Sequence, residues 1–308
     1  MDDVAGRPGP RHDPHDVDCI VYIYLNRAQT RWVGVIYRRE VSMMSDDIAV
    51  TLDQGVAMLQ ICRPPHNYFD PPLVASLVEA ALSLSDDPTT RCIVLCSEGR
   101  SFCAGANFGG AKKAGGEPTA DGGGPARAGR PRHIYEAAAR LFDVEVPIVA
   151  AVQGAAIGGG LGLAMACDFR VATPRARFVA NFAALGIHHG FGLSVTLPRV
   201  VGNQRAERML LTGHPVSGEE AVAIGLCDQL VPEEDLMSAV AEFAHEIAGL
   251  APLAVRSIKR TLRHGIRGEV LSAIDREINE QNWLFRTADH REGTAALADK
   301  RAPVFRAQ

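Results

Sequence analysis

The stretch that decides the fold is IVAAVQGAAIGGGLGLAMACD, residues 148–168. An apolar strand, Ile148 to Val152, runs toward three consecutive glycines, Gly158, Gly159 and Gly160, and a small-residue helical pattern follows. Glycine lets backbone approach a ligand closely, because no Cβ stands in the way. The first turn of a helix leaves N–H groups without partners, and the helix dipole adds positive potential there. Such a corner can hold a developing negative charge on an oxygen. Its plainer reading is a tight strand–helix packing corner.

A second turn of the same kind lies upstream. Cys92-Ile93-Val94-Leu95-Cys96 reads as a buried strand, followed by SEGRSFCAGAN, residues 97–107. Two such corners can each aim one main-chain N–H at a single oxygen, and removing one donor from such a hole costs about 3–4 kcal/mol of transition-state stabilisation. Competing motifs are absent from the chain. There is no HExxH, no paired CxxC, no Asp-rich calcium loop and no GxxxxGK[ST]. The glycines do not form a GxGxxG with an acidic partner, and GxSxG is missing. No metal is expected.

The two glycine segments resemble the crotonase (enoyl-CoA hydratase/isomerase) superfamily. The resemblance continues through residues 176–202, ARFVANFAALGIHHGFGLSVTLPRVVG, and 211–232, LTGHPVSGEEAVAIGLCDQLVP. It ends in ADHREGTAALADKRAPVF, residues 288–305. It implies an α/β fold, a crotonase-type spiral of ββα units followed by a C-terminal helical region. It also implies an acyl-CoA thioester as substrate, with no separate cofactor, and a homotrimer or hexamer. The oxyanion donors it implies are the N–H groups of Ala104 and Gly159, holding a thioester enolate. Substrate and CoA contacts are expected at Arg63, His66, Ala106, Tyr135 and Gly158, and at Lys300 and Phe305 in the C-terminal tail.

The chain departs from the hydratases of that family at both catalytic glutamates. The first follows the triple glycine, where this chain has Gly162; the second falls on Phe182. Neither residue exchanges a proton. The reaction subtype therefore stays open among hydration, isomerisation, decarboxylation and C–C hydrolysis, and a catalytically silent acyl-CoA binder or assembly subunit is the alternative. His189 is the first candidate for proton transfer, because an imidazole with a pKa of about 6.5 serves as acid or base at neutral pH. A helix-capping or solvent-facing His189 is the competing reading, His188 is weaker, and Glu136 and Asn181 are further polar candidates. Asn181 can hydrogen-bond but cannot act as a base. Cys103 reads as a small buried residue, and Asp168 as structural.

Length and composition bound the rest. The 308 residues suffice for one large domain. A net charge of −4 gives no electrostatic case for nucleic-acid binding. Seven cysteines without framework spacing point to a reduced, cytoplasmic protein. No apolar run reaches the roughly 20 residues that span a bilayer. Residues 1–45 show no sustained period and no signal-peptide pattern, and read as an N-terminal extension with Met43 or Met44 as the expected start. The α/β core is expected over 46–250 and the helical trimerisation region over 251–308.

Periodicity gives a hairpin of strands 48–52 and 56–61 and a helix over 71–84. Helices are expected over 133–142, 207–211, 217–224, 233–250 and 269–286, and short strands over 169–173 and 177–180. The Gly/Pro-rich segment 109–131 reads as a loop, and the resemblance makes it a lid over the acyl pocket.

Overall fold

The computed structural model describes residues 39–45, 47–106 and 133–308; the expected lid over 109–131 lies outside the described residues. The described residues open with three antiparallel strands, β1 (Arg39–Ser45), β2 (Ile48–Asp53) and β3 (Val56–Ile61). A two-residue loop joins β2 to β3, and both its residues take positive φ, Gln54 at 44° and Gly55 at 87°. Those values follow the right-handed twist of the paired strands. β1 adds a strand in a region whose sequence shows no period, and it spans Met43.

Three ββα-like turns follow. After α1 (Pro71–Asp86) come β4 (Cys92–Ser97) and β5 (Ser101–Cys103), then α2 (Ile134–Ala138), which tightens into a 3-10 turn at Ala139–Asp143. Next come β6 (Ile148–Val152), β7 (Ala155–Ile157) and α3 (Gly159–Ala166), then β8 (Phe169–Ala172) and β9 (Arg177–Val179). In each turn the first strand joins a seven-stranded sheet, six of whose strands run in the order β1-β2-β3-β4-β6-β8 with a short edge strand beyond β8, and the second joins a smaller sheet through β5, β7 and β9. The chain must bend sharply between the two sheets, and at Gly154 a side chain would overlap the Arg100 carbonyl. This repetition is the spiral that the family resemblance implied.

The remainder is mostly helical: α4 (Leu193–Val201), α5 (Asn203–Thr212), α6 (Gly218–Ala223), α7 (Leu236–Ala248), α8 (Pro252–Leu262), α9 (Ile266–Leu284) and α10 (Ala288–Asp299). Two short strands, β10 (Val216–Ser217) and β11 (Gln229–Leu230), close the edges of the small and large sheets. Ser217 caps α6 by accepting the Glu220 N–H, as its spacing predicts.

The strand period of two divides the core. Cys92, Val94, Cys96, Val149 and Ala151 face α7 through Val240 and Ala244. Ile93, Leu95, Ile148, Ala150 and Val152 face inward, toward α1 and α3. Parallel strands buried on both faces read as unbroken apolar runs, which is why β4 and β6 show no alternation. Among the described residues no helix is long and apolar enough to cross a membrane.

Candidate active site

The site begins where two backbone turns meet. Gly158 precedes α3 with φ 57°, in the left-handed half of the map that favours glycine, and its N–H donates to Val179 O at 2.8 Å. A Cβ on Gly160 would overlap the Cys103 carbonyl, and one on Gly105 would lie 2.7 Å from Ile157 O and 3.6 Å from Gly159 N. Glycine at these positions lets the turn after β5 lie directly against the start of α3.

This contact corrects one sequence expectation. The Ala104 N–H donates to His66 O at 2.9 Å and is committed to the fold. Two residues on, the Ala106 N–H has no acceptor among the described residues, and neither has the Gly159 N–H at the first position of α3. Ala106, Gly158 and Gly159 all line a cleft of about 540 Å³.

The far end of α3 is held hard. Arg170 donates to the carbonyls of Ala164, Cys167 and Asp168, and Arg263 to those of Ala166 and Cys167. Cations at this end complement the helix dipole. Asp168, whose side chain is 12% exposed, accepts from Ile148 N at 2.8 Å and pairs with Lys259 at 2.7 Å and Arg263 at 2.8 Å. Its role is structural, as read from the sequence.

The two glutamate positions are filled by aromatic rings. Phe182 lines the cleft as an apolar wall. At Gly162 a Cβ would stand 2.5 Å from Phe191 Cβ and 2.8 Å from its Cδ1, so the Phe191 ring occupies the space of any side chain there. Phe191 takes φ 65° between Gly190 and Gly192 to reach that place.

His189 contributes nothing to the cleft lining. Its ring lies between His188 (centroids 4.1 Å apart) and Phe182 (6.4 Å). Its Nε2 is buried without a hydrogen bond, 3.6 Å from Glu277 Oε1. Burial first, and the neighbouring His188 second, push its pKa down to about 4, so it is neutral at pH 7. Glu277 reaches in from α9 and accepts from Gly192 N at 2.8 Å and Ser194 Oγ at 2.7 Å. Burial raises its pKa despite those donors. The expected proton-transfer group thus sits behind the cleft wall, because the Gly190–Gly192 turn aims it at α9.

The other expected contacts divide. Tyr135 lines the cleft, and burial pushes its phenol up to about 12. Arg63 is held between Asp47 at 2.6 Å and Asp70 at 2.7 Å, and these hydrogen bonds raise its pKa further. His66 bonds Ser101 Oγ through Nδ1 at 3.1 Å. Neither Arg63 nor His66 lines the cleft; they brace the turns around it. Lys300 ends α10 in the left-handed conformation and Phe305 is half exposed, whereas Thr294, Leu297 and Ala298 of α10 do line the cleft. α10 reaches that position by packing closely on Leu185 and Gly186, where His290 Nδ1 meets Leu185 O at 2.8 Å. Burial lifts the Cys103 thiol to about 12, in keeping with a structural role.

Sequence reasoning missed His133, Gln281 and the ring of Phe191. Phe191, flanked by Gly190 and Gly192, carried a visible signal of close packing. Gln281 carried none, because nothing in the sequence of a helix says which element its flank will meet.

The enoyl-CoA hydratase/isomerase family model matches residues 51–308. The chain is 37% identical to the probable enoyl-CoA hydratase EchA12 of Mycobacterium tuberculosis, over 81% of this chain and 89% of that one. It is 31% identical to the 1,2-epoxyphenylacetyl-CoA isomerase of Escherichia coli, over 85% and 99%. Among solved structures it resembles an enoyl-CoA hydratase/isomerase from Pseudoalteromonas atlantica, with TM-score 0.73 and 29% identity over 85% of this chain and all of the other. This chain belongs to the enoyl-CoA hydratase/isomerase family and is an enzyme of that family.

Proposed function

We propose that the cleft binds an acyl-CoA thioester and stabilises its enolate with the N–H groups of Ala106 and Gly159. The observation that carries this reading is the meeting of the two turns: both amides lack acceptors among the described residues, and both residues line the cleft. Main-chain donors fixed before the substrate arrives need no reorganisation as charge develops on the carbonyl oxygen. The apolar wall of Phe69, Ile134, Phe182, Leu185 and Phe285 excludes water, which strengthens those hydrogen bonds.

Gly162 and Phe182 remove both carboxylates of a two-glutamate hydration. Asn181 reaches the corner, with its Oδ1 3.2 Å from where a Cβ on Gly158 would lie. Its amide orients a water or the thioester but cannot act as a base. Neither a two-glutamate hydration nor a one-base isomerisation that uses the second glutamate finds its carboxylate at these positions, and the subtype stays open among hydration, isomerisation, decarboxylation and C–C hydrolysis. The coenzyme A thioester is substrate, no other cofactor takes part, and the protein works in the cytoplasm as a homotrimer or hexamer.

The test uses a chromophoric dienoyl-CoA. Binding to the wild-type protein is expected to shift its absorbance to the red as the two amides polarise the carbonyl, and Ala106→Pro, which deletes one donor, abolishes the shift. A panel of CoA thioesters followed by mass spectrometry then identifies the product. An unshifted spectrum with bound ligand would refute the oxyanion assignment, and binding without conversion of any thioester would refute the catalytic one.

A further inference from the structure

We infer that His133 is a specificity-determining donor of this cleft, presenting its Nε2–H to an oxygen atom carried by the acyl chain beyond the thioester. The inference rests on the acyl-CoA reading above and adds the kind of acyl group.

His133 stands immediately before α2 with an extended backbone, φ −141° and ψ 153°. Its Nδ1 accepts the Tyr135 N–H at 3.2 Å and caps the helix. An acceptor nitrogen carries no proton, so the neutral ring must carry its hydrogen on Nε2. Burial depresses the imidazole pKa, against a smaller opposing pull from Glu136, which keeps the ring in this neutral form. The ring rests against Tyr135, with centroids 4.8 Å apart, so its direction is fixed as well as its tautomer.

Tyr135 and Gln281 are neighbours in the same wall, and Gln281 Nε2 donates to His188 O at 2.8 Å. His133 lines the cleft beside them, and its Nε2–H has no partner among the described residues. A purely alkyl acyl group that fills the cleft displaces water from this donor and leaves it unpaired. A hydroxyl, oxo or epoxide oxygen pairs it. A site with an unpaired buried donor discriminates against the ligand that lacks the acceptor.

The experiment measures dissociation constants by calorimetry for hexanoyl-CoA, 3-, 4- and 5-oxohexanoyl-CoA and 6-hydroxyhexanoyl-CoA. With the wild-type protein, at least one oxygenated member is expected to bind about tenfold or more tightly than hexanoyl-CoA. His133→Ser keeps a capping oxygen but cannot reach the cleft. It should erase that preference to within about twofold. His133→Asp, which also caps, provides the second reading should the serine variant melt early. No preference in the wild-type protein, or a preference that survives in the variants, would overturn the inference. Failure of every thioester to bind, hexanoyl-CoA included, would instead refute the acyl-CoA reading beneath it.

Discussion

Adding one methyl group at Gly162 tests whether Phe191 holds the place of the missing glutamate. The Cβ of Gly162→Ala would stand 2.5 Å from Phe191 Cβ and 2.8 Å from Cδ1. The ring has little room to retreat, since it is 2% exposed and packs against Tyr135 at 5.7 Å and Phe69 at 6.5 Å. Overpacking of this kind costs about 1–3 kcal/mol. Alanine in place of glycine inside a helix returns about 1 kcal/mol. The net expectation is a loss of about 1–2 kcal/mol, because the contact is tight and the neighbour is a rigid ring. Urea denaturation should show a lower midpoint with an unchanged slope. In a Phe191→Gly background, which removes the Cβ as well as the ring at a φ of 65° that glycine accepts, the overlap is gone and only the helix term remains, so the same substitution should then stabilise by about 1 kcal/mol. A neutral or stabilising Gly162→Ala in the wild-type chain, or the same sign in both backgrounds, would refute the packing argument. It would also reopen position 162 to a carboxylate.

Other substitutions probe other parts of the chain. Asp168→Asn removes the charge facing Lys259 and Arg263, whose side chains are 9% and 18% exposed, and should cost about 3–5 kcal/mol in thermal or urea unfolding. Ala106→Pro should lower kcat by about 10²–10³ with any thioester that turns over, while KM changes little. His189, with a folded pKa of about 4, binds its proton less readily than in the unfolded chain, at about 6.5. Its contribution is complete above about pH 6.5 and is lost as pH falls toward 4, about 3 kcal/mol in all. The raised pKa of Glu277 acts in the opposite sense, so the difference between wild type and His189→Gln isolates the histidine. Parallel stability–pH curves for the two proteins would refute the buried, neutral assignment.

The sequence by itself determined the strands, turns and helices that build the spiral, and the spiral itself came from the family resemblance. The apolar runs at 92–96 and 148–152, the glycine turns behind them and the helical periods over 71–84 and 269–286 are local signals, and each survives with its ends moved by a few residues. It also determined that no carboxylate stands at 162 or 182, since that is a matter of composition. Tertiary structure decided which amides are unengaged. A main-chain N–H has the same chemistry at Ala104 as at Ala106, and only the approach of His66 from 38 residues upstream commits the first. Tertiary structure likewise turned His189 toward Glu277, 88 residues away, and brought His133 to the same cleft as Leu297 and Ala298 of the C-terminal helix. Side-chain direction depends on contacts between distant segments, and no spacing along the chain encodes them.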